Sequence, residues 1–266
     1  MQPRQMKRLP ERTHDAFELP SGAVASRQAA SAAQWLARFA NSWLAPEPGN
    51  AHLMLRFEPD RGTLVSRPAV AGLSMELTLA DLSLQLLENG TPSPHRMDVE
   101  DRTPAYIEAW ILVELLHRGI ERGGFSKALP WSVAELMNGD NEEFTPERLA
   151  ADLQRLASAF TLAQPVLAEL AGIAPEAVMV SPDNFHLCVT IPTAAGPAVV
   201  VGLAPGDATV AEPHFYVARA LPRPGPAAPP LPMLASSEIE TRGMDHAGIV
   251  AALRAAITGT SAKAAE

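Results

Sequence analysis

Six side chains in this sequence have both the chemistry and the spacing to form a site: His52, Arg56, His186, Cys188, His214 and Tyr216. The three imidazoles can ligate a metal or move a proton near neutral pH. His186 and Cys188 are two positions apart, so on a strand their side chains share one face. A neighbouring imidazole favours thiolate, which makes Cys188 a candidate nucleophile with His186, His52 or His214 as base. Against a direct His186–Cys188 pair stands their separation along a strand of roughly 7 Å, beyond a hydrogen bond. With Met54, the same residues offer a soft nitrogen and sulfur set, yet zinc asks for three or four ligands at matched distances. Half-buried histidines hydrogen-bonded on a sheet, beside a small buried cysteine, account for these residues without either chemistry. Arg56 carries a planar fork of donors suited to a carboxylate or phosphate.

Strands would have to position these groups. The run His52 to Phe57 alternates, with Leu53, Leu55 and Phe57 on one face and His52, Met54 and Arg56 on the other. Pro59-Asp60-Arg61-Gly62 is turn chemistry, and residues 63–70 lead back as a partner strand. Residues 73–87 alternate again, Asn89-Gly90 ends that run, and a short strand is expected at 96–100. Later strands are expected at 178–180, 185–191, 198–203 and 214–221, with another near 238–242. Leu187, Val189 and Ile191 take the greasy parity there, leaving His186, Cys188 and Thr190 on the other.

Helices surround these runs. One begins near Val24, carries Trp35, Leu36, Phe39 and Trp43 on one face, and stops at Pro46 and Pro48. Thr103-Pro104 and Thr145-Pro146 read as cap-plus-proline starts, Gly119 and Gly172 as stops, and Asp245 as the cap of a last helix. Pro165 predicts a kink. The acidic runs Asp98, Glu100, Asp101 and Asp140, Glu142, Glu143 precede helix starts, where they complement the dipole rather than hold Mg²⁺. Trp131 falls in a connector, where an exposed aromatic would line a cleft or a partner surface.

The order helix, antiparallel meander, helix thus occurs twice. His52–Phe57 matches His186–Ile191 in apolar character, 134 positions further on. The expected fold is α+β, two similar helix–antiparallel meander–helix halves from a pseudo-two-fold duplication; chance agreement of two hairpins is the bland account. The divisions are a flexible arm 1–22, a first half 23–123, a connector 124–143, a second half 144–259 and a disordered tail 260–266. The proline-rich stretch 222–232 reads as a surface loop rather than a PxxP ligand.

Composition sets the exclusions. The chain has 266 residues, 47% of them apolar and 19% charged, with a net charge of −9. This suits a folded chain with a full core. A negative balance with only a small basic patch (Arg4, Lys7, Arg8, Arg12) argues against nucleic acid. One cysteine permits no internal disulfide, residues 1–20 show no apolar signal segment, and no apolar run spans a bilayer, so a cytoplasmic location is expected. The phosphate-loop, dinucleotide, HExxH, CxxC and GxSxG signatures are absent.

Asn50-Ala51-His52 precedes the first strand, and Phe144-Thr145-Pro146-Glu147 a long helix. Val180-Ser181-Pro182 leads to Phe185–Thr190, and Pro213–Tyr216 runs toward Pro222-Arg223-Pro224. In order and spacing, over about residues 24–258, this series resembles a family of bacterial proteins, Domain of Unknown Function 5996. The chain lacks that family's tryptophan pair near His52 and its further aromatics after Tyr216. The resemblance implies a fold and confers no activity.

From the residues, the expected function is a soluble module binding a small anionic molecule in a groove on the sheet face, lined by His52, Arg56, His186, His214 and Tyr216. The alternative is a metal-dependent or thiol hydrolase built on His52, His186, His214 and Cys188. A third reading is a structural or oligomerisation protein whose groove is a homodimer interface. No cofactor, resident metal, nucleic acid or membrane partner is assigned.

Overall fold

The computed structural model describes residues 19–132, 136–193, 198–220 and 232–262. The first helix, α1 (Ser21–Trp43), buries Ala25, Ala29, Ala32 and Ala33 together with Trp35, Leu36 and Phe39. Small side chains on that face let the helix lie close to what it covers. After Trp43 the chain turns extended at Leu44, ahead of the two prolines.

Five strands follow: β1 (Leu55–Glu58), β2 (Thr63–Val65), β3 (Leu73–Thr78), β4 (Leu84–Glu88) and β5 (Thr91–Met97). Then come α2 (Pro104–His117) and α3 (Ala150–Ala171). Five more strands are β6 (Met179–Ser181), β7 (His186–Ile191), β8 (Val199–Ala204), β9 (His214–Arg219) and β10 (Pro232–Ala235). The short α4 (Ser236–Arg242) and α5 (His246–Ala262) close the order. All ten strands form one antiparallel sheet, ordered β10-β9-β8-β7-β6-β1-β2-β3-β4-β5. At its centre β1 pairs with β6, Leu55 opposite Val180 and Arg56 opposite Met179.

The helices lie on one face. α1 packs on β3, α3 on β7 and β8, α5 on β9, and α1 and α3 pack on each other. α2 joins the same core through Ile107, Ile111 and Leu115. The covered parity is apolar, as the alternation predicted: Leu55, Phe57, Leu187 and Phe215 are buried. On the opposite face, cross-strand partners form a continuous row, since residues directly opposite point the same way. It runs from Val65 through Arg56, Met179, Cys188 and Gly202 to Tyr216. The chain is therefore a mixed helix and antiparallel-sheet protein, and the expected outer face exists.

Several expectations need correction. His52 is on no strand: it lies in a 3-10 turn, Pro48–Leu53, where Gly49 and Asn50 take positive φ of 65° and 58°. The string match 134 positions apart therefore fails, because His52 precedes the first strand of its half while His186 opens the second strand of the other. The strand expected at 96–100 runs instead from Thr91 to Met97. Residues 238–242 are helical, and the last strand precedes them. Thr145-Pro146 opens only a turn, and α3 starts at Ala150. Residues 21–22 and 260–262 are helical rather than arm and tail. Residues 1–18 and 263–266, and 222–231 of the proline-rich stretch, lie outside the described residues.

Candidate functional site on the outer sheet face

Gly202 makes the centre of the site. It stands on β8 between Cys188 of β7 and Tyr216 of β9. A Cβ there would come within 2.7 Å of the Tyr216 Oη and 2.8 Å of the Cys188 Cβ and the Leu187 carbonyl oxygen. Without one, the Tyr216 side chain lies across β8. Its Oη then reaches the His186 Nδ1 at 3.1 Å, with the Cys188 side chain close beside it over Gly202. The His186 and Tyr216 rings are 5.1 Å apart. His214 is buried two residues before Tyr216, on the same face, with its Nδ1 3.0 Å from the Glu212 carbonyl oxygen. That contact requires a proton on Nδ1, which donates to the carbonyl.

Burial dominates the electrostatics. Lost hydration holds the His186 imidazolium down to about 4, against the pull of Asp183 and Asp207 and with a push from His214. Burial first, then the Asp183 charge, pushes the Cys188 thiol up, and a hydrogen bond from Tyr216 only partly offsets this. Burial and the neighbouring Cys188 likewise raise the Tyr216 phenol. At neutral pH all three are uncharged. The group is neutral, with His186 and Tyr216 hydrogen-bonded and the Cys188 thiol held toward its protonated form.

His52 does not belong to it. It is 1% exposed, accepts the Glu47 backbone N–H on Nδ1 at 3.2 Å, and has Nε2 3.4 Å from the Asn41 Oδ1. Its work is to fasten the 3-10 turn to the end of α1, which explains its burial without a ligand.

Arg56 shares the row but lies two strands from Cys188, about 10 Å at the ordinary strand spacing. There it lines a separate cleft of roughly 450 Å³ with Arg61, Arg67, Val65, Leu87 and Met179. Each guanidinium has one carboxylate partner: Arg56–Glu58 at 2.6 Å, Arg61–Glu76 at 2.6 Å and Arg67–Glu47 at 2.7 Å. Glu76 is 3% exposed and also accepts the Thr63 hydroxyl; burial holds its carboxyl above the usual range in spite of Arg61. Neither Arg61 nor Arg67 stands out in the sequence as a site residue. Their signal is weak: one is a turn residue and the other follows a strand by two positions, so neither carries a period.

The expected set thus divides into an arginine cleft and a neutral His186–Cys188–Tyr216 group with His214 nearby. Trp131 faces inward, its indole N–H donating to Gln34 at 2.9 Å. Glu100 accepts the Glu147 N–H and Asp140 accepts the Thr103 hydroxyl, so each acidic run bonds to the segment beside the other run's helix start. A further group absent from the sequence reading, His95, Glu114 and His117, gathers at the β5 edge. Among the described residues, no helix is long and apolar enough to cross a membrane. Compared with protein families, curated proteins and solved structures, the chain finds no match in any of the three.

Proposed function

We propose that this chain binds a small anionic molecule in the cleft lined by Arg56, Arg61 and Arg67. The observation that carries this reading is the convergence of three guanidiniums on one hollow of roughly 450 Å³. That volume lies within the usual range for small-molecule sites. Arg56, Arg61 and Arg67 are 51%, 42% and 44% exposed in their side chains, so water already reaches them. Each has five donors, and a single carboxylate leaves several for a phosphate or carboxylate ligand. Val65, Leu87 and Met179 supply the apolar wall. The neutral His186–Tyr216 group lies on the same sheet face, two strands from Arg56, outside the cleft's lining.

The two halves are part of the same proposal, as copies of one helix–meander–helix unit related by a two-fold axis between β1 and β6. Support comes from the pairing of the first strand of each half with the other. A second support is reciprocal: Gln34 of α1 donates to the Pro182 carbonyl at 2.6 Å, and Gln164 of α3 donates to the Phe57 carbonyl at 3.1 Å. Each helix thus reaches the first strand region of the opposite half. The resemblance to Domain of Unknown Function 5996 belongs to this reading of the fold.

The test is a thermal-shift and calorimetric screen of small phosphates and carboxylates at low salt. Binding is expected to disappear in Arg56→Ala and Arg67→Ala, whose exposed ion pairs contribute little to folding, and to survive His186→Ala. A blank screen, or hits indifferent to both arginines, overturns the proposal.

A further inference from the structure

We infer that His95, Glu114 and His117 form a binding site for a divalent first-row transition metal, separate from the arginine cleft. Glu114 and His117 are three apart on α2, so their side chains are neighbours on the helix surface. His95 comes from β5, the last strand of the sheet, and meets them from the side. One ligand atom from each residue falls in a group no wider than 4.8 Å. The His95 Nδ1 is 3.0 Å and the His117 Nδ1 3.9 Å from the same oxygen, Glu114 Oε1. A metal bonded to nitrogen and oxygen at about 2.0–2.1 Å would hold its ligand atoms about 3.3 Å apart in a tetrahedron. Only a small swing of either ring is needed, and both imidazoles are 57% exposed and free to make it.

Burial and charge favour a cation there. The Glu114 side chain is only 4% exposed, so its carboxylate acts in a medium that strengthens attraction. Arg118 holds the other oxygen, Oε2, at 2.6 Å, which fixes the carboxylate with Oε1 turned to the histidines, as outer partners of metal ligands do. Arg118 does not leave the site positive, because Glu88 also claims it at 2.8 Å. Two carboxylates, Glu114 and Glu88, share the one guanidinium of Arg118, so Arg118 alone does not cancel the acidic charge there. Pro92 and Pro94 mark β5 as an edge strand, so solvent and ion have access. Two imidazoles and one carboxylate suit zinc, cobalt, nickel or iron(II), with the remaining coordination positions open to water.

The test uses the full chain after chelator treatment, titrated with Zn²⁺ by calorimetry and with Co²⁺ by visible absorption. One equivalent of metal is expected to bind, with visible bands for cobalt and a rise in melting temperature. Because His95 and His117 are exposed, His95→Ala and His117→Ala should keep the far-ultraviolet spectrum while each removes a direct ligand and weakens binding by more than the roughly 10–100-fold that loss of an outer partner costs. His246→Ala should change nothing. No binding at about 100-fold metal excess, or one equivalent that survives both His95→Ala and His117→Ala, overturns the site.

Discussion

His186 shows how one residue's surroundings set both its chemistry and its effect on stability. Its imidazole sits beside Tyr216, Cys188 and His214, with Asp183 and Asp207 near enough to favour the charged form. Lost hydration outweighs those two carboxylates, and the ring stays neutral down to about 4. An unfolded histidine titrates near 6.5, so between these values the unfolded chain binds the extra proton. Stability is therefore full above pH 6.5 and falls as the pH drops toward 4, by at most about 3 kcal/mol from this group. Denaturant unfolding at pH 7, 6 and 5 should show that decline. In His186→Gln, which keeps a polar partner for Tyr216 but has nothing to titrate, the slope over this window should flatten. An unchanged slope in the variant would mean that another group controls the pH response.

Elements were legible in the sequence wherever one period ran long enough to dominate. The alternation placed Arg56, His186, Cys188, His214 and Tyr216 on one face, and the sheet keeps that parity. The helical stripe of Trp35, Leu36 and Phe39 likewise fixed the buried side of α1. What failed depended on tertiary pairing. His52 looked like a strand residue because the alternation of Leu53, Leu55 and Phe57 extends to it, although Pro48-Gly49-Asn50 just before it is turn chemistry. The 3-10 turn is set by positive φ at Gly49 and Asn50 and by the histidine's bonds to Glu47 and Asn41. The metal-ligand group escaped because His95 lies on a strand and Glu114 on a helix, and neither segment's period refers to the other. The reciprocal glutamines escaped for the same reason, although each is buried in the middle of a readable helix. Both tie one half's helix to the other half's strand region, so their loss should weaken the same seam. Gln34→Leu and Gln164→Leu should each cost about 1–3 kcal/mol, the penalty for stranding a buried carbonyl. Gln34→Leu also removes the acceptor of the Trp131 indole N–H and should fall at the upper end. Equilibrium denaturation of the two variants decides this, and a cost below about 0.5 kcal/mol in both would dismiss the seam as unimportant.

Across the whole molecule, the seam decides whether two halves behave as two domains. Direct strand pairing between them is short, with only Leu55–Val180 and Arg56–Met179 in register. The helix layer does more. α1 packs on α3, and Phe160 of α3 meets Phe57 edge-on at 5.6 Å from one half and Phe185 at 5.7 Å from the other. All three rings are among the largest fully buried side chains, in a core that runs without interruption beneath both meanders. Separating the halves would expose that aromatic chain and two unpaired strand edges, at β1 and β6, which is costly in apolar area and invites aggregation. Neither half then has a state worth populating alone. Scanning calorimetry should therefore give one transition with matching calorimetric and van't Hoff enthalpies. Phe160→Ala, which removes the shared ring, should lower that transition by about 3–5 kcal/mol of stability while keeping it single. If the variant or the parent chain instead melts in two steps, the halves are independent domains and the seam is only a contact between them.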